Sequence, residues 1–414
     1  MPYLRSTLIL LACTACAAAA DWPQWLGPRR DGSSPEKVAP WKEPPKALWR
    51  APVGEGHSSP VVAAGKVFLH TKVKDRDAEE VAAYDAATGK ELWKKSYPRA
   101  KFTSVFGTGP QATPAYADGK LYTFGVTGLL TCWDADKGDR LWQLDTQKDF
   151  KPAKRFPADF GVACSPLVEG GHVLVNVGGK GASVVAFNRK DGKVAWKKLD
   201  DKASYSSPIA FGQGKGRQVV FLTAAGLASF RPSDGEVLWQ FPLADKLMES
   251  SSTPLKVGDL ILAGSITYGS AGVKLEAKDG KPAVKEAWKN PALTCYFSSP
   301  VAVSKDHVFI ITNTNPLLEK PQATLRCVEA RTGKELWKKP AVGKYHAALI
   351  RTGDGKVLLL DDASNLILLD PSSKEYRELA KSKVCGETWA HPALAGGRLY
   401  LRDNQELICL QLGE

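Results

Sequence analysis

Short runs of β-branched and aromatic residues recur along the chain between turns rich in Gly, Asp and Pro. Examples are Lys66-Val67-Phe68-Leu69, Lys120-Leu121-Tyr122-Thr123 and Val308-Phe309-Ile310-Ile311. Runs of this length and composition, bounded by turn residues, predict β-strands. No long stretch with helical periodicity competes with them, so the pattern predicts an all-β protein.

These strand signals form a repeat marked by tryptophans that are 43 to 54 residues apart. The seven tryptophans are Trp49, Trp93, Trp142, Trp196, Trp239, Trp288 and Trp337, and Tyr376 continues the series. Each of the first six units opens with a Ser-Pro or Thr-Pro pair, and an Asp/Gly turn precedes the closing strand. A period of this length is typical of a propeller blade. We therefore predict an eight-bladed β-propeller built from four-stranded antiparallel blades.

The two ends of the chain are predicted to share one blade. The eighth unit, from His391, has only three strand runs and ends with Leu407-Ile408-Cys409-Leu410. Ala47-Leu48-Trp49-Arg50 supplies a candidate outer strand, and pairing would remove the free sheet edge. The predicted organisation is a signal peptide at 1–20, an N-terminal extension at 21–46 and a single propeller domain at 47–414.

The first twenty residues have the pattern of a secretory signal peptide. Arg5 precedes a short apolar stretch, and Ala18-Ala19-Ala20 offers small residues for cleavage. Leu10-Leu11-Ala12-Cys13 also resembles the lipidation signal of bacterial lipoproteins. We expect a periplasmic or secreted protein. Lipoprotein anchoring is the alternative, and membrane association is expected only if the chain is anchored.

Composition and charge narrow the class of partner. With 43% hydrophobic and 24% charged residues the chain is globular, and its net charge is +12. Such a charge can indicate nucleic-acid binding, but export argues against it and no nucleic acid is expected. An anionic membrane, peptidoglycan or an acidic protein suits the charge, as does a lysine-rich solvated surface. Outside the first twenty residues no two cysteines are adjacent or in CxxC spacing, so structural zinc is not expected.

Two segments carry a resemblance to a known family. Residues 83–93 (AYDAATGKELW) and 327–337 (CVEARTGKELW) resemble the tryptophan-docking motif of PQQ-like, quinoprotein-type propellers. Residues 21–28 (DWPQWLGP) resemble the mature N-terminus of exported bacterial PQQ-like repeat proteins. The resemblance implies that residues 47–412 form the propeller and that the repeated tryptophans are structural, each wedged between adjacent blades.

The same resemblance implies two possible activities. One is that of the non-catalytic propeller of the outer-membrane β-barrel assembly machinery, and the other is that of PQQ-dependent dehydrogenases. The dehydrogenases need a calcium ion, a carboxylate base and surfaces that stack on the quinone. This chain lacks their Cys-Cys pair and is much shorter. We expect a non-catalytic binding or assembly scaffold with an envelope protein partner and no cofactor. The alternative is a periplasmic quinoprotein oxidoreductase that acts on an alcohol or sugar with PQQ and calcium.

One face of the propeller is predicted to carry the functional loops. In an antiparallel blade, the connections between second and third strands and between consecutive blades emerge on one face, which we call the loop face. The long connections all belong to it: Thr71 to Glu80, Lys94 to Ala112, Gln143 to Ala163 and Thr312 to Ala323. Basic residues interleaved with aromatics suit an acidic partner with apolar anchors, although the aromatics could instead pack into the propeller. The predicted partner-binding residues are Lys94, Lys95, Arg99, Lys101, Phe102, Phe106, Lys151, Lys154, Arg155 and Phe156.

A second candidate site lies at the mouth of the central channel. His57, His346 and His391 all precede innermost strands, in units one, seven and eight, which are neighbours in a closed ring. With Glu387 and Glu249 they could bind a transition metal, or titrate near neutral pH. Their offsets from the strand starts differ, which changes side-chain direction. Structural, hydrogen-bonded histidines are the competing interpretation.

Overall fold

The structure confirms the eight-bladed propeller. A computed structural model describes residues 21–152, 160–314 and 319–412. Within these ranges, thirty-two strands form eight separate four-stranded antiparallel sheets. The first strands of neighbouring blades contact one another and form the inner ring around the axis.

The bounds of the elements follow the chain order. Strand β1 is Ala47–Pro52, and the blades then run from the innermost strand outward. Blade 1 contains β2 (Val61–Ala63), β3 (Lys66–Lys72), β4 (Ala78–Asp85) and β5 (Glu91–Pro98). Blade 2 contains β6 (Ala115–Ala117), β7 (Lys120–Phe124), β8 (Leu129–Asp134) and β9 (Arg140–Asp145). Blade 3 contains β10 (Leu167–Glu169), β11 (His172–Gly179), β12 (Ala182–Asn188) and β13 (Val194–Lys198), and blade 4 contains β14 (Ile209–Phe211), β15 (Gln218–Leu222), β16 (Gly226–Phe230) and β17 (Val237–Pro242). Blade 5 contains β18 (Leu255–Val257), β19 (Leu260–Ser265), β20 (Gly269–Lys278) and β21 (Lys281–Asn290). Blade 6 contains β22 (Val301–Ala302), β23 (His307–Asn313), β24 (Ala323–Glu329) and β25 (Glu335–Gly343). Blade 7 contains β26 (Ala347–Arg351), β27 (Val357–Asp361), β28 (Asn365–Leu369) and β29 (Glu378–Lys383). Blade 8 contains β30 (Ala393–Ala395), β31 (Arg398–Arg402) and β32 (Glu406–Gln411); helix α1 (Thr146–Phe150) and a 3₁₀ turn (Gly214–Gly216) lie in connections.

Strand β1 closes the ring as predicted. It pairs antiparallel with β32, with Trp49 opposite Cys409 and Ala51 opposite Leu407, and becomes the outer strand of blade 8. The first strand and the last strand of the chain therefore belong to one sheet.

The repeated tryptophans link each blade to the next. In six of the seven, the indole N–H donates to a backbone carbonyl in the turn before the next blade's outer strand, at 2.9–3.1 Å. In five of these six a turn glycine lies against the ring, and a Cβ built on Gly333 would stand 2.3 Å from a carbon of Trp288. Trp239 differs, because its N–H donates to Gln218 of its own blade at 2.9 Å. The blade that follows Trp239, blade 5, joins β20 to β21 by a tight hairpin. Blades 1 to 4, 6 and 7 have a longer turn at this place.

The structure corrects the interpretation of Tyr376. This residue precedes β29, whereas Ala380 occupies the position that tryptophan takes elsewhere, since Ala380 pairs with Leu368 beside the same bulge. An indole from the N-terminal extension compensates. Trp41 donates to the Ser382 hydroxyl at 2.9 Å and packs against the core cluster that contains Ala380.

The Ser-Pro and Thr-Pro pairs have a structural role that the sequence did not reveal. Their hydroxyls accept backbone N–H groups from the preceding blade, and these bonds form much of a ring around the axis. The links are His391 to Ser59, Ser59 to Thr113, Thr113 to Ser165, Ser165 to Ser207, and Thr253 to Ser299, at 2.9–3.1 Å. The hydroxyl satisfies a backbone donor that has no partner in a β-ladder, since the innermost strands of neighbouring blades belong to separate sheets.

The extension at 21–46 seals the end of the channel opposite the loop face. Trp22 forms a bridge with Val62, and the Glu36 carboxylate accepts N–H groups from Gly396 and Gly397 in a tight turn of blade 8. Arg30 is 2% exposed and donates to the carbonyls of Pro208, Pro166 and Ser165. Burial lowers the pKa of Arg30 to about 10.

Candidate functional site

A cavity of about 120 Å³ lies on the axis beneath the loop face. Every blade contributes at least one residue to it from the segment just ahead of its innermost strand, and Trp25 of the extension also lines it. The lining residues are Trp25, His57, Phe106, Gln111, Phe160, Ala163, Ser165, Tyr205, Ser207, Glu249, Ser251, Tyr296, Phe297, His346 and Trp389. The eightfold repeat thus converges on one small space.

Four aromatic side chains pack together where the channel meets the loop face. Phe106, Phe297, Tyr345 and Trp389 come from four different connections, and their ring centroids lie 5.1–6.3 Å apart. We call this group the aromatic plug. His57 packs against this plug. The centroid of its ring lies 5.5 Å from that of Trp389, and its Nε2 lies 2.6 Å from the Phe106 carbonyl oxygen. Burial lowers the pKa of His57, with a smaller contribution from the positive charge of Arg402.

His346 is buried against the plug with one nitrogen unused. Its Nδ1 lies 3.2 Å from the Phe297 carbonyl and 3.2 Å from the Ser298 hydroxyl. Its Nε2 is buried and has no hydrogen-bond partner within the described part of the chain. Burial, followed by the proximity of His391, lowers the pKa of His346 to about 4. The imidazole is neutral at physiological pH.

Glu249 is the carboxylate of the cavity. It is 7% exposed and accepts a hydrogen bond from the Tyr296 hydroxyl. Burial raises the pKa of Glu249, the negative charge of Asp245 raises it further, and the Tyr296 hydrogen bond opposes both. The same burial and the neighbouring carboxylate raise the pKa of Tyr296.

The structure brings His57, His346 and Glu249 to one cavity and separates the other two predicted ligands. His391 packs beneath them against Trp22 and Trp25, and its ring nitrogens face the carbonyls of Pro392 and Leu349 at 2.9 and 3.1 Å. Glu387 is exposed. The expectation that all five converge on one ion is therefore wrong for His391 and Glu387, because different offsets from the strands turn these side chains elsewhere. No group of three His, Cys, Asp or Glu suited to a metal ion occurs among residues 21–152, 160–314 and 319–412.

Three residues of the predicted partner-binding set are placed differently from expectation. Lys94 and Lys95 lie in strand β5, not in the loop that follows it, and they pair with Glu91 and Asp139. The side chain of Arg99 is buried and cannot meet a partner.

The buried side chain of Arg99 links the loop that follows β5 to a buried acid, Glu79. It donates to the Thr108 carbonyl at 2.9 Å, and its Nε lies 3.8 Å from Oε1 of Glu79. The Tyr97 hydroxyl donates to the other oxygen of Glu79 at 2.6 Å. This cluster fixes the loop that carries Phe106.

The remaining predicted loop residues divide between surface and plug. Lys101 and Lys151 are exposed, Phe102 is half-buried, and Phe106 belongs to the plug. Lys154, Arg155 and Phe156 lie outside the described residues. Sequence reasoning missed Phe297, Tyr345 and Trp389. Their shared position, just ahead of an inner strand, is the signal that would have found them.

The cavity does not fit PQQ with a calcium ion. Its volume is well below the roughly 300 Å³ at the lower end of cofactor and ligand sites. Calcium takes six to eight oxygen ligands, whereas the carboxylate of this cavity, Glu249, is bound to Tyr296.

Comparison with known proteins identifies the family. A family model described as outer membrane protein assembly factor BamB matches residues 77–322. The chain belongs to this family of PQQ-like propellers. Within the described part of this PQQ-like propeller, no helix has the length and apolar character needed to cross a membrane.

Individual relatives of the PQQ-like propeller fall into two groups. Outer membrane protein assembly factor BamB of Shewanella oneidensis is 23% identical over 291 residues, 66% of this chain and 68% of that protein. Quinoprotein alcohol dehydrogenase PedH of Pseudomonas putida is 30% identical over 148 residues, 33% of this chain and only 24% of that protein. The crystal structure of BamB from Moraxella catarrhalis superposes with a TM-score of 0.61 at 13% identity, covering 88% of this chain and 97% of that one. This last likeness bears on the fold alone.

Proposed function

We propose that this propeller is exported to the cell envelope and acts there as a non-catalytic binding or assembly scaffold, with a protein partner docked on the loop face. The family match and the relatives named as outer membrane assembly factors support the proposal. The poor fit of the axial cavity to PQQ also favours binding over catalysis. The indole contacts between blades make the propeller a rigid platform for such a partner.

The observation that carries the proposal is the composition of the loop face. The half-buried aromatic plug lies at its centre, and Val105, next to Phe106, is 86% exposed. Exposed Lys101, Lys151 and Lys344 belong to the same face. An apolar aromatic centre with a charged rim is the anatomy of a protein interface. These lysines suit an acidic partner.

Site-specific photo-crosslinking in the native cells tests the docking face. A photoreactive phenylalanine analogue at Val105 is expected to capture a discrete partner. The matched control is Leu141, which is 47% exposed on the outer strand of blade 2. Lys101→Glu combined with Lys151→Glu should weaken capture from Val105, most strongly at low salt. Equal capture from both positions, or none from Val105, would overturn the loop face as the docking site.

Export itself is tested by the mature N-terminus. Mass spectrometry of the protein from its native cells is expected to show a chain that begins at Asp21. A chain that begins with a lipid-modified Cys13 would instead establish anchoring, and an intact Met1 would overturn export.

The second candidate function is a quinoprotein oxidoreductase acting on an alcohol or sugar, favoured by the similarity to PedH. It requires that PQQ and calcium bind. Titration of the purified protein with both, followed by cofactor absorbance and dye reduction, distinguishes the candidates. Saturable PQQ binding with substrate-dependent dye reduction would replace the scaffold proposal.

A further inference from the structure

We propose that the axial cavity is a binding site for a small organic ammonium ion, a primary amine of roughly four to five heavy atoms. This site lies beneath the proposed partner-binding surface and shares the plug residues Phe106, Phe297 and Trp389 with it. Its polar residues, Glu249 and His346 above all, are not part of that surface.

The size of the cavity limits the ligand. A volume of about 120 Å³ exceeds the space of one ordered water, whose share of liquid volume is about 30 Å³. An apolar cavity of about 150 Å³ accommodates benzene. The ligand is therefore somewhat smaller than benzene.

Several donors that line the cavity are already engaged in hydrogen bonds. Gln111 donates to the Phe160 carbonyl at 2.7 Å, and the Trp25 indole donates to Thr253 at 2.9 Å. The Tyr296 hydroxyl donates to Glu249, and the Ser251 hydroxyl donates to the Tyr296 carbonyl. Nε2 of His346 and the carboxylate of Glu249 retain capacity to accept hydrogen bonds, so these two groups favour a ligand that donates.

His346 provides one such acceptor. A carbonyl can only accept, so the carbonyl of Phe297 beside Nδ1 places the ring hydrogen on Nδ1. The buried Nε2 then carries a lone pair and has no partner in the described part of the chain. Leaving a buried polar atom unpaired costs about 1–3 kcal/mol. A ligand N–H group would remove that cost.

Glu249 and the aromatic walls favour a positive charge on the ligand. The protein groups that shift the pKa of Glu249 are Tyr296 and Asp245, and neither is basic. A buried carboxylate is stabilised by an opposite charge. The rings of Trp25, Trp389 and other lining residues present π-surfaces, which attract cations. An ammonium group offers three N–H donors and a positive charge to these acceptors, and its short alkyl tail would pack against the rings.

Three probe ligands of similar size test the chemistry in the mature protein. Calorimetric titration with n-propylammonium is expected to show saturable binding of one ligand per chain. The neutral isostere n-propanol should bind at least tenfold more weakly, and propionate should not bind. Equal affinity for n-propanol and n-propylammonium, or no saturable binding of the amine, would overturn the proposal.

Variants assign the binding to this cavity. Glu249→Gln and His346→Leu are each expected to weaken n-propylammonium binding at least tenfold. Glu387→Gln, which removes an exposed acid outside the cavity, should leave binding unchanged. An unfolding midpoint for each variant verifies that the propeller is intact. Unchanged affinity in folded Glu249→Gln would show that the amine binds elsewhere. Failure of these tests leaves the loop-face crosslinking result unaffected.

Discussion

At the scale of single residues, the propeller depends on close contacts between turn glycines and indole rings. Gly89, Gly138, Gly192, Gly235 and Gly333 all have positive φ and lie against a tryptophan of the preceding blade. Glycine is required there for two separate reasons, its backbone conformation and the absence of a Cβ. The sequence predicted that the tryptophans lie between blades, but it did not predict this contact, because each glycine meets the tryptophan of the preceding unit and not that of its own.

Gly333→Ala tests the contact between glycine and indole. A Cβ at Gly333 would stand 2.3 Å from Trp288, and we expect a loss of about 2–4 kcal/mol in the free energy of unfolding. Gly280→Ala is the matched control, because Gly280 has a similar φ of 72° but no atom within 4 Å of a new Cβ. That control should lose about 1 kcal/mol from backbone strain alone. Equal losses in a urea titration would contradict the contact.

Buried histidine makes stability depend on pH. Burial lowers the pKa of His391 to about 4, against about 6.5 in the unfolded chain. Between these values the unfolded state binds more protons, so stability is lost as pH falls from about 6.5 towards 4. His391→Gln removes this contribution. Between pH 7.5 and 5.0 the variant should lose about 2 kcal/mol less than the wild-type protein in urea titrations. Identical losses would show that His391 does not titrate with a lowered pKa.

At the scale of elements, two segments from the N-terminal part of the chain hold the ring together: strand β1, which completes blade 8, and the extension at 21–46. A few side chains of the extension form hydrogen bonds with backbone groups of several blades, and Arg30 forms the most of them. The sequence predicted β1 because blade 8 lacked a strand. It did not predict the course of the extension, because irregular chain has no periodicity and its contacts are all distant in sequence.

Arg30→Met tests the extension. Three buried carbonyls would lose their donor, and we expect a loss of about 3 kcal/mol or more in unfolding free energy. Arg29→Met is the control, because the Arg29 side chain is 63% exposed and exposed ion pairs contribute little. Similar unfolding midpoints for the two variants would show that Arg30 does not anchor the extension.

Deletion of Ala47–Pro52 tests ring closure. The deletion exposes the edge of β32 and removes Trp49 from its contact with blade 1, so the whole propeller should unfold at a clearly lower temperature in calorimetry. Arg50→Ala, which breaks only the exposed pair with Glu406, should change the midpoint little. An unchanged midpoint after the deletion would refute closure by β1.

At the scale of the whole molecule, the sequence predicted the number of blades, their strand order and the face that carries the long loops. These features follow from local patterns that are repeated eight times. The candidate site was only partly predictable. His57, His346 and Glu249 were identified by their places ahead of inner strands. The plug residues Phe297 and Trp389 were not identified, because they lie in different connections and only ring closure brings them together.

The pairing of β1 with β32 also sets an order of events when the chain first folds. The outer strand of blade 8 is complete only when residues from the two ends of the chain, more than 350 positions apart, have found each other. Blades 1 to 7 can form from contiguous segments, whereas the contacts of residues 21–52 span nearly the whole sequence. Contacts of such long range form slowly. The part of the protein that leaves the ribosome first is thus among the last to reach its native place.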